Sequence, residues 1–327
     1  MGKPVRILTN FARFPENWES SGHSGSALIV SNARRLLKNC FFADLILVNG
    51  NIPAVLMLSF VFSLLPFSKI RLVAVDLVLR KPKGLSSRAG AFIKKLLFTR
   101  VDHFVNYFRD LEGYRRYYGI GPNRSSFVFF KPNIRDRFQF HAHPDGEYVL
   151  CFGRSLRNYD SFIDAVAALP YPAAIPTPNF ELLRAHGSRF SHKLTDLPAR
   201  LKLLEDNGTP SSLIEIFERA RIVVIPILSD SLCASGIGTY LNAMLMGKCV
   251  IISEGPGVSD LLSNEAIIVP ADDTAALIDA IRRVWEDREL REKVALSGQR
   301  FAESVGGEQD LLQRILDSVI PRFYNSS

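Results

Sequence analysis

Residues 219–254 read RARIVVIPILSDSLCASGIGTYLNAMLMGKCVIISE. Arg221–Ile227 is a β-branched apolar run, the pattern of a strand buried on both faces. Small residues follow and end in Gly236-Ile237-Gly238. Thr239–Met246 then has helical spacing, with Leu241, Met244 and Leu245 on one face and Gly247 as a stop. Lys248–Ser253 is a second buried strand. Strand, glycine loop, helix and strand make one βαβ unit of a parallel sheet. The start of its helix carries unpaired N–H groups and a partial positive charge, a place suited to phosphate. Tight packing of strand on helix is the other use such glycines have.

Working outward, the same alternation fills the chain. Val5–Thr9, Asp44–Val48, Ile70–Val75, His103–Val105 and Ser126–Phe130 read as strands separated by helical stretches. A loop containing Gly22-His23-Ser24-Gly25-Ser26 is expected to lead into the first helix. The polar stretch Asn133–Gly146 interrupts the pattern and marks a domain boundary. Beyond it come strands at Tyr148–Phe152, Pro172–Ile175 and Leu201–Leu204, a helix opened by Pro210 and a Ser212-x-x-Glu215 capping box, the central unit, and Ala266–Val269. The expected domains are 1–140, 146–304 and a terminal helix in 305–327 that packs back toward the first. Two doubly wound α/β domains with Rossmann-like parallel sheets would face a central cleft and offer their strands' carboxyl ends to it.

Composition narrows the class. The chain has 327 residues, 47% of them hydrophobic, and a mean hydropathy of +0.09, enough apolar material for a sizeable core. Cys40, Cys151, Cys233 and Cys249 show no metal-ligand spacing and read as buried thiols in a reducing compartment. The N-terminal residues contain no apolar run of the secretory kind, so a cytoplasmic location is expected. The net charge of +7 has one source: Arg80–Arg100 holds seven basic residues and no acidic one. Phe92, Ile93, Leu96 and Leu97 recur there at helical spacing. A basic amphipathic helix over 85–99 suits either an anionic membrane surface or a solvated face with a core-facing stripe, and suits nucleic acid less well. Ile52–Phe67 is uncharged but short for a membrane span. It reads as a buried helix, with shallow one-sided insertion in a membrane as the other reading.

Four pieces then match a known group in order and spacing: YVLCFGR (148–154), SGIGTYLNAMLMGKCVI (235–251), EGPGVSDLL (254–262) and VPADDTAALIDAIRRVWEDRELREKV (269–294). The second half resembles the nucleotide-sugar domain of GT-B glycosyltransferases of the retaining, family-4-like group. The resemblance implies a metal-independent, cofactor-free enzyme of polysaccharide biosynthesis. It would use a nucleoside-diphosphate sugar as donor and a hydroxyl of a glycan, lipid-linked saccharide or small molecule as acceptor. It implies donor contacts from Gly153, Arg154, Arg157, Gly236, Ile237, Gly238, Thr239 and Asn242. On the acceptor side, His23 in its Gly/Ser loop reads either as a contact to the acceptor or donor phosphate or as a plain loop histidine; Asp76, ending a buried apolar strand where relatives often carry a histidine, either faces the acceptor or donor sugar or pairs with Arg80. Two departures stand out. Ala234 and Asn242 occupy the places of the group's paired glutamates, and Arg157 stands for its usual lysine. A non-catalytic sugar-nucleotide or glycan-binding protein and a sugar-nucleotide epimerase share this architecture. A nicotinamide-dependent oxidoreductase would want a third glycine after Gly236-x-Gly238, which is missing.

Overall fold

A computed structural model describes residues 4–65, 67–137 and 146–324. The chain divides into two compact units, Met1–Phe129 with Glu308–Ser327, and Phe130–Gly307. Residues 138–145 of the polar stretch lie outside the described residues.

In the first unit the strands are β1 (Val5–Thr9), β2 (Asn17–Ser20), β3 (His23–Ile29), β4 (Leu45–Asn49), β5 (Arg71–Val75), β6 (His103–Asn106) and β7 (Ser125–Phe127). The helices are α1 (Ala33–Asn39), α2 (Ile52–Ser63), α3 (Gly84–Leu97) and α4 (Glu112–Tyr118). The sheet order is β2-β3-β1-β4-β5-β6-β7, parallel throughout except for the antiparallel pair β2–β3. The central strands are continuous apolar runs, Leu45–Val48 and Leu72–Val75, and are almost wholly buried. That is the composition demanded where helices cover both faces.

The second unit contains β8 (Tyr148–Cys151), α5 (Tyr159–Ala167), β9 (Ala173–Pro176), α6 (Phe180–Ala185), β10 (Leu201–Leu204), α7 (Pro210–Glu218), β11 (Ala220–Ile225), α8 (Ile237–Leu245), β12 (Cys249–Ser253), β13 (Ile267–Val269), α9 (Thr274–Glu286) and α10 (Arg288–Ser304). Its sheet is entirely parallel, in the order β10-β9-β8-β11-β12-β13. This is the doubly wound arrangement, and the winding reverses between β8 and β11. The last helix, α11 (Glu308–Phe323), belongs to the first unit. It packs on β2, where the Ser20 hydroxyl donates to Asp317 at 2.6 Å. Arg314 donates to the Phe129 carbonyl at 3.0 Å.

Several local expectations are corrected. The glycine-containing loop to Ser26 is instead a β-hairpin. Ser21 and Gly22 both take positive φ, 51° and 77°, the backbone a two-residue hairpin turn requires. Helix α7 is capped by Thr209, whose hydroxyl accepts the Ser212 N–H, with Pro210 in the first turn; the Ser212 box does not open it. The Ile52–Phe67 stretch is buried only along one side. Ala54, Val55, Leu58 and Phe62 face the core, while Phe60, Leu64 and Phe67 are 58%, 68% and 96% exposed. Helix α3 has no apolar stripe facing inward: Phe92, Ile93 and Leu96 are all more than half exposed, and its one buried residue is Ala91. The four cysteines are buried and none forms a disulfide.

Helix α8 is held from behind by α10 through Gly298. A Cβ there would lie 2.8 Å from the Glu265 carbonyl oxygen and 2.9 Å from Met244 Cγ. Alanine would gain about 1 kcal/mol of helix propensity. The backbone carbonyl cannot step aside, and overpacking of this kind costs ~1–3 kcal/mol. Gly298→Ala is therefore expected to lower the thermal midpoint of the second unit, and Gly298→Val to lower it further. An unchanged midpoint in both would show that α8 and α10 are not in close contact.

Candidate active site

The carboxyl ends of β8 and β11 flank the point where the second sheet's winding reverses, the place where open α/β sheets leave a crevice. Past β8 the chain runs Phe152-Gly153-Arg154-Ser155-Leu156-Arg157. Past β11 it runs through Pro226–Ser235 to α8. These two loops are joined by one side chain. Arg157 is 1% exposed, and its guanidinium donates to the Phe152 carbonyl (3.0 Å), the Ser155 carbonyl (2.8 Å) and the Thr239 hydroxyl (3.1 Å). Its backbone is pinned too: the Arg157 N–H donates to the Ser188 hydroxyl at 2.8 Å, and its carbonyl accepts from the Arg189 N–H.

The glycines on either side exist for this guanidinium. A Cβ on Gly153 would lie 2.4 Å from Arg157 Nη2, and one on Gly236 would lie 2.9 Å from Ile225 Cγ2 and 3.2 Å from the same Arg157 nitrogen. Both have positive φ, 114° and 93°. No other residue type meets both demands. Burial pushes the Arg157 pKa down, yet an arginine stays charged in proteins. Its three acceptors are neutral, so a buried positive charge stands beside the first turn of α8. There the Gly238 and Thr239 N–H groups have no intrahelical acceptor. Charge and dipole both favour an anion at this point.

The remaining sequence-derived residues fall around this centre in different ways. The Ile237 N–H is turned back onto the Ala234 carbonyl at 3.2 Å. Asn242 is 3% exposed and its Oδ1 accepts the Asn133 N–H at 2.7 Å, so it secures the 130–137 segment. The Asn133 side chain itself lies over Gly238, with Nδ2 at 2.8 Å from the place of an added Cβ. Neither role is visible in sequence, because the two residues are far apart along the chain. Arg154 is exposed and lines a cavity of about 350 Å³ with Gly153, Thr177, Asn179, Asp206 and Asn207. This cavity spans the ends of β8, β9 and β10. Sequence reading missed it because no single motif encodes it; Thr177, Asn179 and Asn207 are polar residues just beyond short strands, and that is the signal available.

In the first unit, Asp76 follows β5 with φ 48°, a left-handed conformation that Asp and Asn tolerate. It is half-buried, and loss of solvent pushes its carboxyl up to about 6. Strand pairing sets Val75 beside Val105, so Asp76 and Asn106 end adjacent strands side by side. Asn106 is 3% exposed and its amide nitrogen has no hydrogen-bond partner. Sequence reading missed Asn106, although it repeats the Asp76 signal of a polar residue ending a buried apolar strand. His23 lies in β3, buried beneath the hairpin turn, with Nδ1 at 3.1 Å from the Ser21 carbonyl and its ring 6.3 Å from that of Tyr324.

Two outcomes follow from this geometry. Arg157→Met would leave two buried carbonyls unpaired and is expected to destabilise the second unit by about 3 kcal/mol, read by denaturant unfolding. Asp76 titrates at about 6 when folded against an ordinary value of 3.8. The folded state therefore holds its proton longer, so stability falls as pH rises from near 4 to near 6 and stays lowered above that. Asp76→Asn should raise the thermal midpoint at neutral pH, with the gain vanishing toward pH 4.

Comparison with known proteins finds a family match in the second unit and fold matches over the chain. Residues 146–287 match the family model described as "Glycosyl transferases group 1". By sequence, no curated protein matches the chain. Among solved structures, HepE of Anabaena in complex with UDP aligns at 14% identity and TM-score 0.68, covering 88% of this chain and 81% of that one. Sucrose-phosphate synthase of Thermosynechococcus elongatus aligns at 16% identity and TM-score 0.68, covering 98% and 89%. A glycosyltransferase of Rickettsia africae aligns at 11% identity and TM-score 0.64, covering 92% and 86%. At these identities the structures speak for the fold, and the family model speaks for the domain. Residues 146–287 match a group 1 glycosyl transferase domain, and the chain has the two-domain α/β fold of the GT-B glycosyltransferases.

Proposed function

We propose that this chain is a glycosyltransferase that takes a sugar from a nucleoside-diphosphate donor and transfers it, with retention at the anomeric carbon, to a hydroxyl of a glycan or lipid-linked saccharide in polysaccharide biosynthesis. The observation that carries the reading is the buried Arg157 charge set against the open N–H groups of α8. When the glycosyl bond breaks, negative charge collects on the leaving diphosphate oxygen. Fixed positive charge and N–H donors held in a water-poor site stabilise that charge without reorganising. Gly153, Gly236, Ile237, Gly238 and Thr239 shape this anion site. Arg157 holds it rigid, and Arg154 reaches the diphosphate from the cavity side.

The adjoining cavity of about 350 Å³ suits the nucleoside, with Asn179, Asn207 and Thr177 available to its polar edges. HepE was solved with UDP and with UDP-glucose, which favours a uridine donor here. Asn242 keeps the loop at 130–137 in place beneath the ribose. Asp76 and Asn106 receive the acceptor hydroxyl or the transferred sugar, and His23 supports the same unit at its hairpin. The basic helix at 85–99 lies on that unit and favours a peripheral place on the inner face of a membrane, where lipid-linked acceptors are found. A likeness to a putative UDP-N-acetylglucosamine 2-epimerase of Listeria monocytogenes, at TM-score 0.52, keeps an epimerase as the second reading.

Thermal shift across nucleoside diphosphates tests the donor. UDP is expected to raise the midpoint selectively through mass action. Arg154→Ala, an exposed substitution, should weaken UDP binding roughly tenfold by removing one charge-assisted contact, with the unliganded midpoint unchanged. If no nucleoside diphosphate stabilises the protein, the donor reading fails. Release of UDP from UDP-sugar only in the presence of a hydroxyl acceptor separates transfer from epimerisation.

A further inference from the structure

Among the apolar side chains that the fold leaves outside, one group is clustered. Three consecutive helices of the first unit, α1, α2 and α3, each feed the next strand of a contiguous trio, β4, β5 and β6. Their carboxyl ends therefore gather along the amino edge of that trio. Contacts confirm the gathering. The Phe41 ring, just past α1, packs edge-on against Phe62 of α2 at 6.5 Å, and Arg100, just past α3, donates to the Phe62 carbonyl at 2.8 Å.

Each of the three connections ends in large apolar groups exposed to solvent. Phe41 and Phe42 are 56% and 69% exposed, Leu64 and Phe67 stand exposed just past α2, and Leu96 is exposed in the last turn of α3, with Phe92 one turn before it. Phe41 and Phe42 in the first of these turns and Phe67 in the second point outward with no folding reason to do so, and Leu96 joins them at the end of α3. Patches of this extent on a soluble chain mark an interaction site.

The charge around the patch identifies the partner. Lys38 ends α1, Lys69 precedes β5, and Lys94 and Lys95 end α3, with Arg100 beyond them. The acidic residues at the same edge, Asp44 and Asp102, are bonded to Arg6 and Arg71 at 3.0 and 2.9 Å. Apolar groups ringed by lysine fit the boundary between anionic headgroups and acyl chains. Among the described residues no helix is long and apolar enough to cross a membrane.

We propose that the amino edge of the first sheet is a one-sided membrane anchor, in which the ends of α1, α2 and α3 insert together into an anionic bilayer. This rests on the membrane reading of the 85–99 helix and changes it. The anchor is the edge of a sheet layer rather than one helix, and insertion of phenylalanine rather than charge alone holds it.

Co-sedimentation with vesicles of phosphatidylcholine, with and without phosphatidylglycerol, tests it on the full chain. The wild-type protein is expected to bind the vesicles containing phosphatidylglycerol and to stay partly bound when salt is raised. The exposed-site variant F42S/F60S/F67S should lose ~100-fold in partitioning, since each substitution removes a large apolar group from the acyl boundary. UDP binding and thermal midpoint should be unchanged. A separate variant, Phe67→Trp, should gain fluorescence quenching by brominated acyl chains, a readout that does not depend on the triple variant's folding. If the wild-type protein binds neither vesicle, both the anchor and the 85–99 reading fall. If the triple variant binds as well as wild type while K94E/K95E does not, the anchor is overturned and the helix reading survives. Equal binding to pure phosphatidylcholine overturns the anionic requirement. Wild-type dimers that the triple variant abolishes would show the patch covered by a second copy instead, and would also overturn the proposal.

Discussion

A single buried guanidinium ties the second unit's working end together. Arg157 has no carboxylate among its bonded acceptors, only two carbonyls of its own loop and a hydroxyl at the start of α8. Burying a charge this way is expensive unless every donor is used. The surrounding chain reflects that demand. At Gly153 the guanidinium occupies the space a Cβ would take, at Gly236 Ile225 and the guanidinium share it, and Ser188 and Arg189 fix the Arg157 backbone. The result is a rigid positive site made before any ligand arrives. Preorganisation of that kind is what makes electrostatic stabilisation of a leaving group effective.

Much of this could be read from the chain. The apolar runs at 45–48, 72–75, 222–225 and 249–252 are strands because only both-face burial explains them, and the glycine loop before α8 follows from its spacing. The importance of Arg157 was visible only as a replacement for a lysine. Its burial depends on Ser188 and Thr239, which no local pattern links to it. Asn242 shows the opposite limit. Its chemistry suits a ribose, but the fold brings Asn133 to it across 109 positions of sequence. The hairpin at Asn17–Ile29 was hidden because Ser21-Gly22 is a weak turn signal beside Asn-Gly or Asp-Gly.

Helices α2 and α3 show why periodicity alone misleads. Apolar residues at helical spacing declare a stripe but do not say which side of the protein the stripe faces. In α3 the stripe points outward, and only Ala91 meets the core. In α2 the residues are apolar all round, which matches burial in composition, yet Phe60 in its last turn and Leu64 and Phe67 after it turn away from the core, while Phe62 stays in it. The distinction needs the sheet: a helix end that protrudes below the strands it feeds has nothing left to pack on.

The two edges of the first sheet carry different chemistry. Asp76 and Asn106 close strands at the carboxyl edge, and the exposed phenylalanines hang from the amino edge. β5 has five residues, so the two are separated by a strand length of roughly 15 Å. The sheet is thus a ruler. If the lower edge rests at the headgroups and Asp76 and Asn106 meet the acceptor, both as proposed above, the acceptor hydroxyl has to stand off from the bilayer by about that distance.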